Sequence, residues 1–115
     1  MHEGRWVEVM ASADVTRTPR RAVAEGVDLA VWRGPRGRAV AFLDACPHKG
    51  YPLSTGRRTW RGNLACDAHG WEFDPSGRCV RIPGRAPDPA RRATALTCRE
   101  QDGRLWVLLP APGDA

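Results

Sequence analysis

This 115-residue sequence has no long apolar run and no recognisable targeting segment, and it has only one lysine. The longest apolar stretches, such as residues 39–43, are far too short to cross a bilayer. Residues 1–5 have neither the charged region nor the apolar region of a signal peptide. The length fits one domain, which we place at residues 1–115. These features predict a soluble, cytoplasmic protein with no membrane anchor.

Basic charge is carried almost entirely by arginine. The net charge is +5, and Lys49 is the one lysine among 18 basic residues. The arginines are scattered, with short pairs and no long run, and the sequence has no helix-turn-helix or RNA-binding signature. We therefore expect no nucleic-acid partner. The arginines are interpreted as a solvated surface or as a docking surface for an acidic protein.

The 10 prolines and 12 glycines divide the chain into short apolar segments, and residues 6–9 alternate as a strand would. Three pairs of segments predict hairpins: residues 28–32 and 39–43 around 34–37, residues 71–73 and 79–82 around 74–77, and residues 94–99 and 105–109 around 101–104. Between them, residues 83–92 predict a surface loop, and residues 110–115 predict a flexible tail. This pattern is typical of an all-β sandwich or small barrel.

Two short segments each combine one cysteine with one histidine. In CPHKG, residues 46–50, Cys46 stands two positions before His48. In CDAHGW, residues 66–71, Cys66 stands three positions before His69. Both segments fall in predicted connections between strands, where two loops can approach each other. Two thiolates and two imidazoles together are a ligand set for a thiophilic metal.

Three interpretations of these four residues compete. Isolated cysteines and histidines are often buried or hydrogen-bonded residues without a ligand. A structural zinc site also uses two cysteines and two histidines, but it usually takes each like pair from one segment. A binuclear cluster with two cysteines on one iron and two histidines on the other needs one ligand of each kind from each loop. The mixed loops of this chain favour the cluster.

The longer segments CPHKGYPLSTG and LACDAHGWEFDPSGRCVRIPG resemble the Rieske family of 2Fe–2S proteins. The resemblance covers nearly the whole chain, because DLAVWRG and DGRLWVLLP are also similar to the edges of a Rieske domain. It implies one Rieske-type 2Fe–2S cluster, with Cys46 and Cys66 on one iron and His48 and His69 on the other through Nδ1. It also implies an antiparallel β-sandwich with the two cluster-binding loops at one tip.

Within the family, the chain resembles the Rieske oxygenases and their soluble ferredoxins. Respiratory and photosynthetic members have two more cysteines that form a disulfide between the loops, and the corresponding residues here are Tyr51 and Ala68. The serine and tyrosine that donate hydrogen bonds to the cluster in those members correspond to Trp71 and Phe73. A cluster with fewer donors, and with the Asp67 carboxylate nearby, is harder to reduce. We expect a potential below about 0 mV, in the lower part of the Rieske range of about −150 to +300 mV.

The other cysteines and the tryptophans are assigned to packing. Cys79 and Cys98 fall in predicted strands, and cytosolic thiols are normally reduced, so we expect both in the core. Two tryptophans, Trp60 and Trp71, are expected to shield the cluster loops, and three others are expected in the core or at its edge: Trp6, Trp32 and Trp106.

The resemblance implies electron transfer rather than catalysis. A 2Fe–2S cluster moves one electron at a time and has no open coordination position for a substrate. The mononuclear iron of a Rieske oxygenase needs two histidines and a carboxylate, and His2 is the one histidine outside the two loops. We therefore expect a monomeric, non-enzymatic Rieske-type ferredoxin. It would carry single electrons from a flavin-dependent reductase to a terminal oxygenase or another metalloenzyme.

Two other functions stay open at this stage. One is a permanently bound small Rieske subunit of an oxidoreductase, of the oxygenase or nitrite-reductase type. The other is a redox-sensing, metal-sensing or zinc-binding interaction module. For electron transfer we expect the partner to dock over the outward Nε2 atoms of the histidines. The residues expected there are Lys49, Tyr51 and Trp71, and those expected to steer an acidic partner are Arg57, Arg58 and Arg61.

Overall fold

The computed structural model describes residues 4–110, so His2 and most of the predicted 110–115 tail lie outside the described residues. The strands are β1 (Arg5–Ala11), β2 (Arg20–Ala24), β3 (Val27–Arg33), β4 (Ala39–Leu43), β5 (Arg57–Arg58), β6 (Leu64–Ala65), β7 (Glu72–Phe73), β8 (Cys79–Arg81), β9 (Ala95–Leu96), β10 (Cys98–Gln101) and β11 (Arg104–Leu109). Short 3-10 turns cover Ser12–Asp14, Pro35–Gly37 and Leu53–Thr55. The strands form three antiparallel sheets, and the all-β prediction is confirmed.

The central sheet has the order β2-β3-β4-β9 and is buried on both faces. In β3, Leu29 and Val31 belong to one buried cluster, while Ala30 and Trp32 belong to another. All four side chains are inaccessible to solvent. Consecutive buried residues in a strand require two covered faces, because successive side chains point in opposite directions.

The other two sheets supply those covers. In the sheet β1-β11-β10, the last strand of the sequence lies between the first strand and β10, and Leu105, Val107 and Leu109 point into the core. In the sheet β5-β6-β7-β8, Leu64 and Phe73 join the second buried cluster. This last sheet positions the second Cys/His segment, which connects β6 to β7, whereas the first segment follows β4 of the central sheet and precedes β5.

Two of the three predicted hairpins are confirmed as β3–β4 and β7–β8, and residues 6–9 lie in β1. The third differs from the prediction, because residues 94–99 divide at Thr97. Residues 95–96 pair with β4, and residues 98–101 pair with β11. The turn contracts to Asp102 and Gly103, both with positive φ, as a tight two-residue hairpin requires.

Two strands have little apolar signal and were absent from the prediction. β2 is an edge strand with exposed Arg20, Arg21 and Val23, and β5 consists of two arginines. The small alanines of β2 face the core while its valine is exposed, and β5 has no apolar residue, so neither shows the apolar pattern from which the other strands were predicted. Both form hairpins with the strand that follows them in the sequence, so pairing with that strand rather than an apolar pattern of their own makes them strands.

Both remaining cysteines pack as core residues. Cys79 is buried, and Cys98 is partly buried against the cluster beneath β11. Burial raises the pKa of Cys98 to about 11, so its thiol is protonated at neutral pH. Within residues 4–110, no helix has the length and apolarity needed to span a membrane.

Candidate metal centre

The two Cys/His segments fold into loops with the same backbone geometry. Loop 1 comprises residues 46–51, and loop 2 comprises residues 66–71. In loop 1 the Cys46 N–H donates to the Tyr51 carbonyl at 2.8 Å, and the Gly50 N–H donates to the Cys46 carbonyl at 2.7 Å. Loop 2 repeats this pattern: the Cys66 N–H donates to the Trp71 carbonyl at 2.7 Å, and the Gly70 N–H donates to the Cys66 carbonyl at 2.9 Å.

A glycine closes each loop in the left-handed region of the backbone. The φ angle is 74° at Gly50 and 70° at Gly70, where a residue with a side chain is strained. The spacing Cys-x-x-x-Gly-aromatic is therefore the local sequence signal for the shared turn. The histidine occupies the third position of loop 1 and the fourth of loop 2, so the loops match in backbone but not in ligand position.

The two cysteines lie side by side beneath the loops. Cys46 and Cys66 are 3% and 2% exposed, and both belong to the buried cluster under loop 2. The pKa of Cys46 is raised to about 11, chiefly by burial and also by the neighbouring Cys66, although the backbone N–H groups of His48 and Lys49 act in the opposite direction. Metal ligation uses the thiolate, so a bound metal has to displace this proton, and the backbone N–H groups near the sulfur stabilise the resulting negative charge.

The two histidines also meet. Their ring centroids are 4.7 Å apart with the rings nearly perpendicular at 82°. Nδ1 of His48 is buried and has no hydrogen-bond partner in the protein. A buried polar atom without a partner is uncommon and calls for an unseen ligand or ion. The pKa of His48 is lowered by burial first and then by the positive charges of His69, Lys49, Arg91 and Arg85, which favours the neutral, metal-binding imidazole.

Each histidine packs against the aromatic residue that closes the opposite loop. His48 stacks on Trp71 with centroids 4.3 Å apart and the planes within 11°. His69 meets Tyr51 at 5.6 Å. Trp71 is 6% exposed, so the prediction that it shields the loops is confirmed. For Trp60 the same prediction is wrong, because its side chain is 85% exposed in the turn between β5 and β6.

Neighbouring segments hold the loops in place. The Asp44 carboxylate, just before loop 1, accepts hydrogen bonds from the N–H and the hydroxyl of Ser54 at 2.7 and 2.6 Å. The predicted surface loop 83–92 packs on both Cys/His loops. Its Pro83 lies against Gly70, and an Arg91 guanidinium nitrogen donates to the Pro47 carbonyl at 3.4 Å.

The arginines beside the site are not those expected from the sequence. Lys49, Arg85 and Arg91 are the side chains whose positive charges act on His48. Arg58 instead donates to the backbone carbonyls of Arg33 and Gly34 at 2.8 and 3.3 Å, so its guanidinium is used within the fold. The proline-rich loop 83–92 carried no sequence signal for this role, because its position over the histidines depends on the tertiary fold.

The donors fall into two like pairs rather than one group of four. Within residues 4–110, no three Cys, His, Asp or Glu side chains are gathered around a point that one metal ion would occupy. The contacts described above bring thiol to thiol and imidazole to imidazole, with each loop contributing one member of each pair. A mixed-ligand binuclear cluster needs two protein ligands for each iron, and this donor set fits it.

An antiparallel β protein that presents a sulfur pair and a nitrogen pair from two matching loops has the fold and site of an iron–sulfur protein. The family model for the Rieske [2Fe-2S] domain matches residues 5–105. The chain therefore belongs to the Rieske family, as the sequence resemblance predicted, and its cofactor is a Rieske-type 2Fe–2S cluster.

Its relatives include the Rieske domains of oxygenases. The chain is 38% identical over 103 residues to 4beta-methylsterol monooxygenase of Methylococcus capsulatus, covering 85% of this chain and 27% of that protein. It is 34% identical over 111 residues to the oxygenase component of dicamba O-demethylase of Stenotrophomonas maltophilia. That match covers 95% of this chain and 32% of the relative. A crystal structure of dicamba monooxygenase with non-heme iron and dicamba superposes on this chain with a TM-score of 0.86 at 32% identity. The superposition covers 97% of this chain and 34% of that one. The chain thus spans about a third of the length of these relatives.

Proposed function

We propose that Cys46 and Cys66 ligate one iron of the 2Fe–2S cluster, and that His48 and His69 ligate the other through Nδ1. The observation that carries this assignment is the pairing of like donors across the two loops, thiol with thiol and ring with ring. The buried, partnerless Nδ1 of His48 supports the choice of ring nitrogen. When bound, the cluster accepts and releases one electron at a time.

We further propose that the chain works as a ferredoxin-type carrier between a flavin-dependent reductase and a terminal oxygenase or another metalloenzyme. His69 and Tyr51 are exposed at the loops, whereas the buried Trp71 covers His48 and limits the access of water to it. Electrons would therefore enter and leave over His69. The cations around the histidines fit a partner with an acidic surface.

A second candidate function is a Rieske module held permanently by an oxygenase component. It is favoured by the relatives, in which the similar region is about a third of a longer protein. Purification separates the two functions. A carrier elutes as a free monomer and is reduced and reoxidised by separate proteins, whereas a bound module co-purifies with its oxygenase component.

Cofactor analysis and ligand exchange test the assignment. The purified protein is expected to contain about two irons and two acid-labile sulfides per chain, with a Rieske-type electron paramagnetic resonance (EPR) signal after reduction. His48→Cys and His69→Cys should each lower the potential, because a neutral imidazole is replaced by an anionic thiolate. Cys98→Ala, a change at a cysteine outside the loops, is the matched control and should leave the iron content and the EPR signal unchanged. Stoichiometric zinc in the wild type, or a wild-type signal in either histidine variant, would refute the ligand set.

A further inference from the structure

Trp60 has the most exposed large apolar side chain of the described residues, with 85% of its surface accessible. It lies in a turn in which the Gly62 N–H donates to the Thr59 carbonyl at 2.9 Å. Such a turn requires glycine at its end but no aromatic residue before it. The Trp60 ring belongs to neither buried cluster. Its side chain therefore has no role in the folded core.

Arginine side chains flank this ring on both sides. A pocket of about 350 Å³ beside Trp60 is lined by Arg17 and Arg57. Another of about 300 Å³ is lined by Arg57, Arg61 and Arg81, and by Glu72, which is buried and accepts a hydrogen bond from Asn63. The Arg61 guanidinium lies 4.9 Å from the ring centroid of Trp60. Among residues 4–110, none of these four arginines forms an ion pair, although five other arginines do. We call Trp60 with these four arginines the Trp60 surface.

The Trp60 turn lies at the end of its hairpin that is remote from loop 2. Arg57 pairs with Ala65, next to Cys66, and Arg58 pairs with Leu64, so the hairpin extends away from the cysteine towards the turn. The distance from Cys66 to the turn is on the order of 10–15 Å, given the rise per residue of a β-strand. A molecule bound at the turn would leave the histidines accessible.

We propose that the Trp60 surface docks an acidic protein partner, with the Trp60 ring in an apolar recess of that partner and the arginines paired with carboxylates around it. Tryptophan and arginine are the residues that most often dominate the energy of protein interfaces. Guanidinium groups without a carboxylate partner are available for bidentate ion pairs. The net charge of +5 attracts an acidic surface over a longer range. This docking is separate from electron transfer at the loops and would keep a partner attached while the histidines exchange electrons.

Other occupants fit less well. A second copy of the chain would bring two arginine-rich surfaces together, which repel each other. Single-stranded nucleic acid is bound by a groove with several stacking aromatics, whereas this surface has one. A membrane surface is bound through a broad apolar face, and here the apolar part is a single ring on a turn.

A fluorescein-labelled peptide of alternating glutamate and leucine residues is a suitable probe, with binding followed by fluorescence anisotropy. The cluster-loaded protein should bind it, and its affinity should fall as salt is added, because the Debye length is only about 10 Å at 0.1 M ionic strength. Trp60→Ala should weaken binding at least about tenfold, and Arg57→Glu with Arg61→Glu should abolish it. Trp60→Phe should retain most of the affinity. Arg57→Glu alone should also weaken binding, whereas Arg99→Glu, which makes the same single charge reversal on β10, is the matched control and should bind much as the wild type does.

Several results would overturn the proposal. They are no binding by the wild type, equal binding by Trp60→Ala, or equal loss in the Arg99→Glu control. Tighter, Trp60-dependent binding of a single-stranded oligonucleotide or of phosphatidylserine vesicles would assign the surface to another class of partner. Trp60-dependent self-association in sedimentation would assign it to a second copy. The titration does not detect the cluster, so failure of the electron-transfer proposal would appear separately, as an altered visible spectrum or an altered rate of reduction.

Discussion

By the family resemblance, Trp71 and Phe73 occupy the positions from which a serine and a tyrosine donate hydrogen bonds to the cluster in respiratory Rieske proteins. Trp71 stacks on His48, and Phe73 is fully buried without any polar atom in its side chain. Hydrogen bonds to the sulfurs stabilise the reduced cluster, which carries one more negative charge. We predict a wild-type potential below about 0 mV in protein-film voltammetry, in the lower part of the Rieske range. A value above about +150 mV would contradict this.

Adding a hydroxyl at Phe73 tests the same argument in a single residue. Phe73→Tyr should raise the potential by about 40 mV, since a hydrogen bond worth about 1 kcal/mol corresponds to that shift for one electron. Phe73→Leu changes the packing without adding a donor and serves as the control, so its potential should stay near that of the wild type. If the two variants shift the potential equally, packing rather than hydrogen bonding controls it.

At the scale of the element, the two loops differ in what surrounds their glycines. An alanine at either position has a φ near +70°, which costs about 1–2 kcal/mol. A Cβ at Gly50 would meet open space, whereas a Cβ at Gly70 would lie 3.2 Å from the Pro83 ring. We predict that Gly70→Ala lowers the temperature at which the cluster absorbance is lost by more than Gly50→Ala does. Equal losses would mean that loop 83–92 does not support loop 2.

The ion pair between β3 and β10 gives the fold a dependence on acid. Both guanidinium end nitrogens of Arg33 donate to the Glu100 carboxylate, at 2.6 and 2.7 Å, and another nitrogen donates to the Val15 carbonyl. The hydrogen bond from Arg33 lowers the pKa of Glu100. The resulting stabilisation is therefore present above the unfolded pKa of about 4.3 and is lost as the pH falls through the lower, folded pKa.

Replacing Glu100 measures this contribution. Because the pair is partly exposed to solvent, Glu100→Gln should cost no more than about 1 kcal/mol of unfolding free energy at pH 7. The difference from the wild type should shrink below about pH 4.3 in thermal melts. Asp28→Asn, which removes an exposed ion pair with Arg21, is the control and should cost less. A difference for Glu100→Gln that grows in acid would show that the sign is wrong.

For the whole molecule, the distribution of charge decides how a partner approaches the loops. Lys49, Arg85 and Arg91 come from loop 1 and from loop 83–92, and all three act on His48 with the same sign. We predict that Arg85→Glu slows electron transfer with a flavin-dependent reductase by a few-fold at low salt and that the difference disappears at high salt. Stopped-flow reduction at several ionic strengths measures this. Arg38→Glu, in the β3–β4 turn, is the control, and an equal, salt-independent effect of both changes would rule out steering at the loops.

Much of the local structure could be predicted, since it depends on residues close together in the sequence. Gly50 and Gly70 define the closing turn of each loop, and the turns that follow Arg33 and Phe73 define two hairpins. The β2 strand was not predicted because its inward residues are only the small Ala22 and Ala24, while its larger apolar residue, Val23, is exposed. The exposure of Trp60 was not predicted either, because an aromatic residue in a turn has no local signal for which way its ring points.

Local residue patterns were enough to predict the two Cys/His loops, their family and the all-β class, because spacing and turn chemistry act over a few residues. The tertiary structure decided which groups meet across the loops: Trp71 with His48, Tyr51 with His69, and Arg91 with Pro47. It also placed β11 between β1 and β10, and two arginines of the 83–92 loop, Arg85 and Arg91, near His48. These contacts join residues that are far apart in sequence, and only the packing of three sheets around the central strands brings them together.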